Sequence, residues 1–201
     1  MGRAFTDAER SAVQEKLRRT GLKLFAEKGI RGVSIRDLTA AAGIAQGGFY
    51  SFYQDKNDFL TDLIAFRVRE KLALLRLKTP ESLQNPLEFL SNVFYSEGMH
   101  LKDNQIFNNI VSDTLIFFCD RETEIQDRVS QLYRDYLKEL ATYWSDNGYT
   151  VLLDTDGLMN LIRAAAILFS NASLLDASCF ETIYRQFCDT EVPLFVKVTP
   201  R

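Results

Sequence analysis

Seven of the ten glycines fall within the first 48 residues, and this uneven spacing constrains the fold more than any other feature. Glycine serves where a chain turns tightly or takes a left-handed conformation. A head with closely spaced turns therefore precedes a long remainder in which elements are long and turns are few. Apolar residues recur in the head at three- and four-residue steps, as at Val13, Leu17, Leu24 and Phe25, which is the period of a helix with one buried face. The same period continues past Pro80, so the sequence predicts an all-α protein of about nine helices with no sheet.

Local signals set the boundaries of these helices. Thr6 and Glu9 have capping-box spacing and start the first helix, which Lys28-Gly29 closes with a basic turn and a candidate left-handed cap. Ser34 and Asp37 start a second helix that Gly43 stops after two turns. A third is expected from Ala45 to Tyr53, and a fourth from Lys56 towards Leu77. Five more follow: one after Pro86, one over 106–118, one over 125–143 closed by Asn147-Gly148, one after Asp156, and a short one over Phe180–Phe187. The tail Val192–Val198 is rich in β-branched residues, suited to an extended strand or to fraying. The expected division is a domain over 1–55 and a second over 56–201.

Charge follows the same division. The chain carries 24 basic and 27 acidic residues, yet residues 1–36 have nine Lys/Arg against four acids. A basic end on an acidic protein draws a polyanion to one face and repels it from the others. The helices flanking Ala42-Gly43-Ile44 form a helix-turn-helix pattern, in which Ala40, Ala41 and Ala42 let the two helices cross closely. Leu38, Ile44 and Phe49 supply its small core. The outward side of the second helix carries Gln46, Gly47, Gly48, Tyr50, Ser51 and Phe52, without an acid among them. Such a surface suits a major groove: Gln46 is able to pair with an adenine edge, glycines permit close backbone approach, and Tyr50 and Lys56 suit phosphates.

At these residues the sequence resembles the TetR family of bacterial transcriptional regulators. The likeness rests on Phe25-Ala-Glu-Lys-Gly29, Ser34-Ile-Arg-Asp-Leu38, Ala42-Gly-Ile44 and Gly47-Gly-Phe-Tyr-Ser-Phe-Tyr-Gln-Asp-Lys56, in that order, over about residues 8–66. The resemblance implies an all-α homodimer with an N-terminal helix-turn-helix DNA-binding domain and a C-terminal helical domain for ligand and dimerisation. It puts Ser34 and Arg36 beside the DNA backbone, and Ala45, Gln46, Gly47, Gly48, Ser51 and Phe52 in the groove. Tyr50 and Lys56 fall on phosphates. Ala45 stands where the family usually has Ser or Thr, Gln46 where Lys is frequent, and Phe52-Tyr53 where His or Tyr precedes Phe. These departures bear on which operator is read. The implied function is a repressor that binds a palindromic operator as a homodimer and is released by a small-molecule effector.

The helix near 157–176 is apolar on more than one face, which fits burial against its own domain and a partner subunit. With the helix near 178–189 it resembles the family's dimerising pair. Phe107, Asn108, Val111, Phe118, Tyr133 and Tyr136 are candidate lining for an effector pocket, aromatics at this spacing also being ordinary core. No cofactor, metal or catalytic residue is expected. His100 is the single histidine, and the three cysteines Cys119, Cys179 and Cys188 form no ligand pattern. These features argue against a helical enzyme. A protein-interaction module whose helix-turn-helix no longer binds DNA finds support only at Ala45 and Gln46. Neither a membrane-spanning run nor a signal-like start occurs, so a cytoplasmic protein is expected.

Overall fold

The computed structural model describes residues 6–103 and 124–201. Among the described residues there are eight α-helices: α1 Asp7–Lys28, α2 Ile35–Ala42, α3 Gln46–Phe49, α4 Lys56–Lys78, α5 Pro86–Asp103, α6 Glu124–Asp146, α7 Thr155–Ser170 and α8 Ala177–Phe195. The expected helix over 106–118 lies outside the described residues. The chain divides into two compact units, Met1–Arg67 and Val68–Arg201, the division falling inside α4.

In the first unit both predicted capping boxes form. Thr6 Oγ1 accepts from the Glu9 amide while the Glu9 carboxylate accepts from the Thr6 amide. Ser34 and Asp37 do the same for α2. Gly29 has φ 70° and ψ 166°, a glycine-specific region outside the left-handed helical well expected there; its amide still closes α1 by donating to the Phe25 carbonyl. Gly43 does take the left-handed conformation, with φ 67° and ψ 35°. Leu17, Phe25, Leu38, Phe49 and Phe59 are fully enclosed. Rings of Phe49, Tyr53 and Phe59 pack at 5.0–5.8 Å between centroids, the separation at which edge-on aromatic contacts are favourable.

α3 is shorter than expected, ending at Phe49 instead of Tyr53. Ala45 provides no side-chain cap, and two of the four residues are glycine, which is about 1 kcal/mol less favourable in a helix than alanine. The path is nonetheless continued by tight turns, with the Ser51 amide donating to Gly48 and the amides of Phe52 and Tyr53 both donating to Phe49.

The second unit contains the one clear correction to an all-helical reading. Residues Tyr149–Leu153 (β1) pair antiparallel with Val196–Pro200 (β2), Val151 opposite Val198. Of the tail Val192–Val198, only the part from Val196 on is an ordered strand, and Val196 is fully buried. The last helix is also longer than expected, running through Pro193 to Phe195. Leu140, Trp144 and Leu158 are buried in this unit, and Ala165, Phe169, Phe180, Tyr184 and Cys188 form one apolar cluster. Trp144 Nε1 donates to Ser82 Oγ at 2.7 Å, and Ser82 passes its own hydrogen to the Thr79 carbonyl at 2.6 Å, so the buried indole leaves no donor unsatisfied. No helix among the described residues is long and apolar enough to cross a membrane.

Candidate nucleic-acid interface

The helix-turn-helix is built by α2, the turn at Gly43-Ile44-Ala45, and α3. The Gly43 amide returns to the Thr39 and Ala40 carbonyls, and the Ile44 amide to Thr39. These bonds satisfy the last carbonyls of α2 and set the sharp exit that only a left-handed residue permits. Lys16 of α1 brings its ammonium within 3.3 Å of where a Gly43 side chain would begin, adding a cation beside the turn.

On α3 the geometry divides the residues cleanly. Phe49 is buried and anchors the helix, while Gln46, Gly47 and Ser51 are exposed. Tyr50 is 56% exposed and rests edge-on against Phe49 at 5.6 Å. A side chain added at Gly47 or Gly48 would meet nothing within 4 Å, and neither residue has a positive φ. Internal packing and backbone conformation therefore give no reason for glycine at either position. Ser34 and Arg36 are both exposed at the start of α2. The Ser34 hydroxyl donates to Asp37 at 2.6 Å, and that bond, with the Ser34 amide, holds the Asp37 carboxyl below its usual range.

Two side chains sit differently from a simple outward-facing reading. Phe52 is half-buried with the Arg10 guanidinium 4.9 Å above its ring. Arg10 also donates to the Ser51 carbonyl at 2.8 Å, so α1 lends a cation to the end of the recognition turn. Lys56 is half-buried: its Nζ donates to the Ile30 carbonyl and lies 5.9 Å from the Phe25 ring. Desolvation lowers its pKa from the usual lysine value. Lys56 thus ties the start of α4 to the loop after α1.

Arg10 was absent from the residues that sequence reasoning singled out. It lies seven positions before buried Leu17 and so on the same face of α1, a relation that would have pointed it at the packed side of the unit. In the second unit, Tyr133 and Tyr136 stand three residues apart on α6, and burial pushes both phenols up to about 12. Phe107, Asn108, Val111, Phe118 and Cys119 lie outside the described residues. Among the described residues no group of three or more His, Cys, Asp or Glu is placed to hold a metal ion.

A family model for bacterial regulatory proteins of the tetR family matches residues 17–63, which run from within α1 through α2 and α3 into α4. The HTH-type transcriptional repressor KstR2 of Mycobacterium tuberculosis is 32% identical over 142 residues, covering 70% of this chain and 70% of that protein. The chain belongs to the TetR family. Solved structures agree at the level of fold. RolR in complex with resorcinol has a TM-score of 0.70 at 16% identity, covering 94% of this chain and 90% of its own. The transcriptional regulator FadR from Bacillus subtilis in complex with stearoyl-CoA has 0.55 at 15%, covering 88% and 98%. The segment matched to the TetR family contains the helix-turn-helix, whose α3 has an exposed, acid-free side.

Proposed function

We propose that this TetR-family member is a transcriptional repressor that binds a palindromic operator as a homodimer and is released by a small-molecule effector. The observation that carries the reading is α3: an exposed, acid-free surface with two glycines that neither packing nor backbone conformation requires. Gln46 and Ser51 read bases, the glycines admit the groove wall, and Tyr50, Arg36, Ser34 and Lys56 meet phosphates, with Ala45 and Phe52 at the groove margin. Repression is supported by KstR2 and by the HTH-type transcriptional repressor DhaR of Mycobacterium sp., 36% identical over 50 residues that cover 25% of each chain.

One recognition helix reads one half-site, so a palindrome calls for two. Ile167 on α7, Ile183 on α8, and Leu174 and Leu175 in the turn between them are exposed, which supports dimerisation there. Resorcinol in RolR and stearoyl-CoA in FadR support an effector for this chain, held in the C-terminal unit near Tyr133 and Tyr136. An effector that prefers one arrangement of these helices would shift α4 and change the spacing of the two α3 helices from the ~34–36 Å of successive major grooves. A coupling of about 1–3 kcal/mol alters operator affinity roughly 5–150-fold. No catalysis is assigned, and the cell compartment is the cytoplasm, where the DNA is.

Duplex binding titrated against salt tests the DNA-binding step. Phosphate contacts make log K fall linearly with log salt at about −0.9 per contact, so a steep negative slope is expected. A protein that ignores duplex DNA at every salt concentration is an interaction module instead.

A further inference from the structure

A buried polar network lies beneath the recognition turn, and the DNA contacts above do not use it. The Asp62 carboxylate on α4 accepts two bonds from Arg18 of α1, Nε to Oδ2 at 2.8 Å and Nη2 to Oδ1 at 3.0 Å. Tyr53 Oη donates to the same Oδ2 at 2.8 Å. Tyr53 and Asp62 are 4% and 6% exposed. Arg18 is held from a second side, its guanidinium 5.1 Å over the ring of Phe66, one helical turn beyond Asp62. At the other end, the Tyr53 amide donates to the Phe49 carbonyl and its ring packs 5.4 Å from Phe49.

We propose that Asp62 is a positioning residue for DNA recognition: through Tyr53 it locks the end of α3 to α1 and α4 in one orientation. The proposal rests on the DNA-binding reading above. A phenylalanine at 53 would fill the same ring seat between Phe49 and Phe59, so the hydroxyl adds direction rather than bulk. Buried ion pairs seldom add stability over apolar packing of the same volume, and their best-attested use is to specify one arrangement. This one is directional at every bond: a bidentate guanidinium tolerates neither rotation nor a slide of α4 by one ångström without breaking a hydrogen bond. Movement of α4 at Asp62 is therefore passed to Tyr53 and on to α3. Arg10, on the Ser51 carbonyl, holds the same turn from outside.

The test compares the full-length wild type with Tyr53→Phe, which removes one oxygen, and with Asp62→Asn. Amide exchange is followed at Phe52 and Tyr53, which both bond Phe49, and at Leu38 in α2, which bonds Ser34. Affinity is measured for the operator and for a random duplex. The lock predicts roughly tenfold loss of protection at Phe52 and Tyr53 with Leu38 unchanged, and roughly tenfold weaker operator binding. Random-duplex affinity and its salt slope stay as in the wild type. Equal loss of protection at all three amides, or wild-type behaviour of Tyr53→Phe in both assays, overturns the proposal. If the wild type itself selects no duplex, the DNA-binding reading fails separately. The exchange contrast then decides alone whether the network holds the turn.

Discussion

Glycine in the middle of a helix forfeits roughly 0.5–1 kcal/mol relative to alanine, and α3 accepts this twice in four residues. Gly43 gets a left-handed turn in return; Gly47 and Gly48 get nothing from inside the protein. The sign of a substitution therefore separates folding from binding. Gly47→Ala is expected to raise unfolding free energy by about 0.5–1 kcal/mol in urea denaturation. It should weaken operator binding about tenfold, equivalent to roughly 1.4 kcal/mol. A stabilised variant with undiminished affinity would mean that nothing approaches the backbone there. Lys56 shows what residue-level reading from sequence misses. Its position at the start of a helix suggested a phosphate anchor, but the Ile30 carbonyl that engages it lies 26 residues away. No local pattern encodes that distance. The Tyr53–Asp62–Arg18 network was hidden for the same reason, its ion pair spanning 44 positions.

At the scale of elements, capping signals were legible because they are local. Thr6-x-x-Glu9 and Ser34-x-x-Asp37 form as their spacing requires. α3 ended early where two glycines and an uncapped start left too little helix propensity. The strand pair was not legible, because five residues near 150 and five at the C-terminus find each other across 43 to 51 positions. Only the β-branched composition of the tail hinted at it. β2 has a structural task in consequence: Val196 is buried and the Arg201 amide bonds the Gly148 carbonyl. Deleting residues 196–201 removes that ladder and a buried valine worth about 1.5–3 kcal/mol. A clear fall in melting temperature by calorimetry is expected; an unchanged melting temperature would show that the strand is dispensable.

For the whole molecule, the uneven charge and the family membership converge. Residues 1–36 are net positive while the chain as a whole is net negative at −3, so the excess positive charge lies in the unit that carries the helix-turn-helix. The proposed effector was not legible: four of the six candidate pocket residues lie outside the described structure, and apolar lining admits many small molecules. The central claim is instead that two copies of α3 read one symmetric site. Selection of bound duplexes from a random library by the purified protein, at near-physiological salt, addresses it directly. Enrichment of an inverted repeat with half-site centres one helical turn apart, about 10 base pairs or a multiple of that, is the predicted result. A folded protein that enriches no sequence, or only an unpaired half-site, would contradict the account.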